Sequence, residues 1–139
     1  MDASRRAARV VAVIAGLVAA TGLTGCAGVG VNHTLSGIAY KTFTASLPDL
    51  RRASKGALAD MAIAVEREAD LEDGRLIIGK AGDHTVDIEL VKLTASASRM
   101  RVTVIEANGI FRDSATATEI IIQTSTKLES QLAGRPSRR

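Results

Sequence analysis

The sequence predicts an α+β domain: an antiparallel sheet of about five strands with two helices packed on one face. Three observations predict it. Val86, Ile88 and Leu90 alternate with Asp87 and Glu89, the pattern of a strand with one buried face. Short links containing Gly, Asp or Ser at 72–74, 81–84 and 94–98 separate consecutive runs of this kind, which makes hairpins and therefore antiparallel pairing. Segments 46–61 and 116–132 carry apolar residues at three- and four-residue steps behind capping residues.

The chain opens on a leader. Arg5, Arg6 and Arg9 stand against a single acid, Asp2, and the uninterrupted apolar run 10–20 follows. Small residues then lead to Cys26, the only cysteine in the sequence. A basic start, an apolar middle of roughly 7–15 residues and a small-residue end describe a secretory signal peptide. The run is too short to span a bilayer, which takes about 20 apolar residues. Leu23-Thr24-Gly25-Cys26 resembles the lipobox of bacterial lipoproteins. That resemblance implies a diacylglyceryl group on the Cys26 thiol, cleavage between Gly25 and Cys26, and acylation of the new amine. Two or three acyl chains make a durable anchor where one is marginal. A free or disulfide-bonded cysteine is the weaker reading, since Cys26 has no partner within the chain. Ser4-Arg5-Arg6 echoes the twin-arginine export signal, but Ala7, Ala8 and Arg9 follow where that signal carries large apolar residues, so general secretion is expected. Ala27 after the cysteine implies, by resemblance to enterobacterial sorting, an outer-membrane location facing the periplasm.

The domain plan is therefore a signal peptide at 1–25, a lipidated cysteine and short tether at 26–33, an α+β domain at 34–132 and a flexible basic tail at 133–139. The tether after the cysteine reaches at most roughly 25 Å, which keeps the domain near the lipid headgroups. Segment 34–44 is rich in β-branched and aromatic residues and reads as the first strand. Ser46, Pro48 and Asp49 open a helix, whose stripe is Leu50, Ala53, Ala57, Leu58 and Met61. From Ile63 the period becomes two. Ile63 and Val65 alternate with Ala64 and Glu66, Leu76 and Ile78 are expected on one buried face, and Met100, Val102 and Val104 alternate with Arg101 and Thr103. The last element carries two patterns. Thr116 to Glu119 could cap a helix with Ile121, Thr124, Leu128 and Leu132 inward, yet Thr116, Thr118, Ile120, Ile122, Thr124 and Thr126 alternate as a strand does. Glu119, Gln123, Lys127, Leu128, Glu129 and Gln131 favour the helix.

Composition excludes several functions. Without residues 1–25, 15 basic and 14 acidic residues remain, so the high overall pI gives no argument for nucleic acid. Tyr40, Phe43 and Phe111 are the only aromatics, and stacking platforms for bases or sugars are lacking.

The "LTGC" start, "YKTFTASLPDLRRASKGAL" and the closing "FRDSATATEIIIQTSTKL" resemble a small bacterial lipoprotein family that carries a domain of unknown function. The resemblance implies an extended segment, a helix opening on a small residue and an acid, and a final helix after an aspartate. It supplies no catalytic residues. The layout is also similar to the helix-grip domains of an accessory lipoprotein of the outer-membrane barrel-assembly machinery, a likeness of fold that does not fix function.

No constellation for chemistry stands out. Cys26 is consumed by lipid, His33 lies in the tether and His84 in a hairpin turn, and no serine sits in a G-x-S-x-G elbow. Glu66, Glu68, Asp70, Glu72 and Asp73 lack the spacing of a calcium loop, and Glu66 and Glu68 read as the solvent face of a strand. Neither a metal nor another cofactor is expected, and Gly28 and Gly30 do not form a phosphate loop. The expectation is a non-enzymatic envelope lipoprotein, membrane-bound through Cys26, serving as an interaction or structural module with a possible protein partner. The alternative is a module holding a small apolar ligand or lipid between helices and sheet, with Met61, Ile78, Ile88 and Val102 as lining.

Overall fold

The computed structural model describes residues 30–136. The leader, Gly25, Cys26 and the first part of the expected tether, up to residue 29, lie outside the described residues. The elements in chain order are β1 (Asn32–His33), β2 (Ala39–Phe43), α1 (Leu47–Asp60), β3 (Ala64–Leu71), β4 (Gly74–Ala81), β5 (His84–Thr94), β6 (Ala97–Ile105) and α2 (Ser114–Ala133). They form an α+β fold whose single six-stranded sheet has the order β1-β2-β6-β5-β4-β3, with every neighbouring pair antiparallel. The β3–β4, β4–β5 and β5–β6 turns are tight hairpins at 72–73, 82–83 and 95–96, where the Asp- and Gly-containing links were expected.

The count of strands exceeds the expected five because the end of the tether joins the sheet. Asn32 pairs with Tyr40 and His33 with Ala39. The expected strand over 34–44 is shorter for the same reason: Gly37, at φ +77°, donates its N–H to the Thr34 carbonyl at 3.0 Å, and the chain turns before β2 begins at Ala39.

Helix α1 forms as its cap predicts. Ser46 Oγ accepts the Asp49 N–H at 3.4 Å and donates to Asp49 Oδ2 at 2.8 Å. Leu50, Ala53, Ala57 and Leu58 are fully buried, and Met61 packs half-buried against the core. The helix ends in a Schellman arrangement: Ile63 N–H reaches the Leu58 carbonyl at 2.8 Å and Ala62 N–H the Ala59 carbonyl at 3.1 Å. Ala62 sits at φ +56° to make this turn.

Helix α2 is a helix throughout, and it starts earlier than the Thr116 box suggests. Asp113 is the N-cap, its carboxylate accepting the Thr116 N–H at 2.9 Å. The buried stripe is Ala117, Ile120, Ile121, Thr124 and Leu128, while Leu132 stands 42% exposed in the last turn.

On the sheet, Val86, Ile88 and Leu90 of β5 and Met100, Val102 and Val104 of β6 are fully buried, in one core with residues of both helices. In β4 the inward residues are Ile77 and Gly79, so Leu76 and Ile78 turn to the other face, against expectation. Register explains it: Ile77 is opposite Ile88 and Gly79 opposite Val86. A Cβ on Gly79 would stand 3.0 Å from Ile63 Cγ2, so glycine there makes room for Ile63 in the link from α1 to β3. In β3 a bulge falls between Val65 and Arg67. The extra residue reverses the alternation, and Glu68 comes to the helix-covered face opposite Ile77.

Candidate functional site

The expected lipidation site, Cys26 with its cleavage partner Gly25, lies outside the described residues. Its point of entry is described. Gly30 has φ +58°, a left-handed conformation that turns the chain as it enters the sheet, and Val31 packs half-buried against the core.

The two histidines stand apart. His33 is exposed on β1, its Nε2 2.7 Å from Thr118 Oγ1 on α2. His84 begins β5, its Nδ1 3.1 Å from the carboxylate of Asp83. Among the described residues, no group of three His, Cys, Asp or Glu side chains could hold a metal ion. The acidic run is dispersed by local structure. Glu68 accepts from Arg51 Nε at 2.7 Å and pairs with Lys55 Nζ at 2.7 Å, so it locks β3 to α1 and does not face solvent as expected. The Lys55 hydrogen bond, joined by that of Arg51 and opposed by burial, holds the Glu68 carboxyl below its ordinary pKa. Asp70 pairs with Arg75 across the β3–β4 hairpin at 3.1 Å.

Asp49 and Asp113 serve helix ends. The Arg135 guanidinium, then the Ser46 hydroxyl, lower the Asp49 pKa, and the Thr116 hydroxyl, then its N–H, lower that of Asp113. Arg135 belongs to the segment expected as a flexible tail, yet it is seated on Asp49, Nη1 donating to Oδ2 at 3.1 Å. Each perturbed carboxyl therefore has a structural partner.

What the described surface offers is apolar. Leu35, in the β1–β2 turn, is fully exposed; Ile110 and Phe111, in the loop from β6 to α2, are 77% and 61% exposed. All three line one shallow open groove with Ser36, Gly37 and Arg112. The loops are tied by Arg112 Nη1, which donates to the Ser36 carbonyl at 3.2 Å. A second shallow surface, lined by Thr34, Tyr40, Arg99 and Arg101, lies alongside on the helix-free face. Sequence reading missed the three apolar residues because each is isolated in its loop; the only signal was an unexplained Ile110-Phe111 pair beside an Asn-Gly turn.

The lining expected for an internal ligand site does not converge. Ile88 and Val102 are fully buried in the core, whereas Ile78 is on the opposite face of the sheet. No helix among the described residues is long and apolar enough to cross a membrane.

A family model described as "Protein of unknown function (DUF3568)" matches residues 6–126, and the chain belongs to that family. No curated protein matches the chain.

Proposed function

We propose that this member of a family of unknown function is an envelope lipoprotein, held in the outer membrane by acyl chains on Cys26 and carrying a periplasmic domain that acts as a non-enzymatic interaction or structural module. The observation that carries the reading is the order of the first 26 residues: arginines, the apolar run 10–20, then Leu23-Thr24-Gly25-Cys26. The family match begins at residue 6 and so takes in this motif along with the folded domain. Helices covering one face of an antiparallel sheet fit the helix-grip-like layout, whose short entry at Gly30 suits a domain held close to its anchor. The dispersal of His33, His84 and the acidic run supports a binding role over catalysis.

Cys26→Ser tests it. The variant should accumulate uncleaved and leave the detergent phase in a phase-partition assay. A Cys26→Ser chain that is still cut after Gly25 and still partitions with membranes would refute the anchor.

A further inference from the structure

We infer that the tip formed by the β1–β2 turn and the β6–α2 loop inserts into the surface of the phospholipid bilayer, with Leu35, Ile110 and Phe111 among the acyl chains. The inference rests on the anchor at Cys26.

Single exposed apolar residues are ordinary, but three large ones lining one groove at one end of a small domain are not. The loops that carry them are built to lose water. Thr34 N–H bonds the Ile38 carbonyl at 2.9 Å and Gly37 N–H the Thr34 carbonyl at 3.0 Å. In the other loop Asn108 Oδ1 accepts the N–H groups of Ile110 at 2.9 Å and Phe111 at 3.2 Å, and Gly109 N–H bonds the Glu106 carbonyl at 2.8 Å. Backbone polar groups that already have partners are what entry into an apolar phase requires. The side chains, by contrast, stay largely open to solvent, Leu35 fully and Ile110 and Phe111 to 77% and 61%.

Reach agrees. Cys26 precedes Gly30 by four residues, which span no more than about 14 Å. From Gly30 the strand runs toward the tip, and the distance to Leu35 is of the same order at about 3.3 Å per residue. The opposite end of the sheet is also in reach and carries Leu71, Leu93 and Leu132, but these are 39%, 42% and 42% exposed, less than any of the three at the tip, and the turns there, Glu72-Asp73 and Ala95-Ser96, are acidic or small and polar.

A second copy of the chain is a poorer occupant. Three side chains of no more than about 200 Å² each fall short of the roughly 800 Å² that each partner buries in a standard interface. A bilayer needs no such area, because the acyl chains already hold the protein there. Arg112 at the groove is offset by Glu106 and Asp83 at the same end, so the insertion itself is apolar in character.

The test uses the mature, lipidated chain in phosphatidylcholine vesicles. Leu35→Cys, Phe111→Cys and, at the far end of α2, Ser130→Cys are labelled with a thiol fluorophore. Vesicles bearing a nitroxide on the acyl chain should quench the labels at 35 and 111 severalfold and leave that at 130 unchanged, with the same result when anionic lipid is added. Labels at 35 and 111 that behave like the one at 130, in a chain that floats with the vesicles, would overturn the insertion and leave the anchor standing. Shielding of 35 and 111 from a soluble quencher without lipid, in a species of twice the mass, would overturn it in favour of a dimer. Label uptake by the parent chain, whose only thiol is Cys26, would overturn anchor and insertion together.

Discussion

Arg135 is seated on Asp49 with its guanidinium forked across both carboxylate oxygens, so the end of α2 is fastened to the first turn of α1. Asp49 also bonds Ser46, the cap of α1, which joins helix capping and helix pairing in one small network. Lys127 Nζ on Asp60 at 2.6 Å makes a second tie between the same helices.

The network sets a pH dependence. The carboxyls of Asp49, Glu68 and Asp113 all titrate below their ordinary values in the folded chain, through Arg135, Lys55 and Thr116 respectively. Folding therefore favours their ionised forms. The stability they contribute is complete above the unfolded carboxyl range, about pH 4, and is lost as pH falls through the lower folded values. Melting temperature should hold from pH 7 to about 5 and then drop steeply. Arg135→Gln should lower it at pH 7 and make that acid drop shallower. A variant whose melting curve tracks the parent's at every pH would show that the fork adds nothing in solution.

Sheet register makes the second prediction. Ile77 is fully buried opposite Ile88, and Ile78 is on the helix-free face opposite Asp87. Ile77→Asp would bury a charge opposite the Glu68 carboxylate, which already takes up Arg51 and Lys55, and should exceed the roughly 5–15 kcal/mol of a domain's total stability, leaving no folded protein. Ile78→Asp should cost about 1 kcal/mol or less, the ordinary range for a surface change. Circular dichroism at 25 °C separates the two, and equal behaviour would mean the strand is out of register.

That pair also marks what can be read from a sequence. In β5 polar residues punctuate the apolar ones, so Val86, Ile88 and Leu90 declare their face. Leu76-Ile77-Ile78 is unbroken, and a run of that kind has no period; only pairing with β5 chooses Ile77. The bulge that turns Glu68 toward α1 depends on how β3 meets β4, and Glu66 and Glu68 in isolation read as one exposed face. Strand β1 carries no apolar alternation and exists because Tyr40 and Ala39 offer it an edge. The first cap was legible since it is local, Ser46 with Asp49; the second was not, since the pattern points to Thr116, and only the family resemblance, with its aspartate before the final helix, agrees with Asp113. The tip was not, because Leu35 and Phe111 are brought together by a contact between Arg112 and Ser36, far apart in the chain.

Ala62 gives a third prediction. It occupies the left-handed position of the Schellman turn at φ +56°, where a Cβ is unfavourable by about 1–2 kcal/mol. The glycine that this position prefers removes that penalty but adds freedom to the unfolded chain, about 0.4–1 kcal/mol the other way. Ala62→Gly should therefore gain about 0.5–1 kcal/mol. Urea unfolding with an unchanged m-value would measure it, and a loss of stability would show that Ala62 is not in this conformation in solution.

The last prediction concerns Thr124, a fully buried residue of α2 whose Oγ1 has no hydrogen-bond partner among the described residues. A helical threonine can usually return its hydroxyl to the carbonyl four residues back, as Thr118 does to Ser114 at 2.7 Å. Thr124 instead points its side chain into the stripe formed with Ile120, Ile121 and Leu128, where an unpaired hydroxyl costs about 1–3 kcal/mol. Thr124→Val keeps the β-branched shape and removes the polar atom. It should raise stability by about 1 kcal/mol, while Thr124→Ala, which also opens a cavity, should lower it. Both are read from thermal melts at pH 7. Destabilisation by valine comparable to that by alanine would mean that the hydroxyl takes a partner in solution.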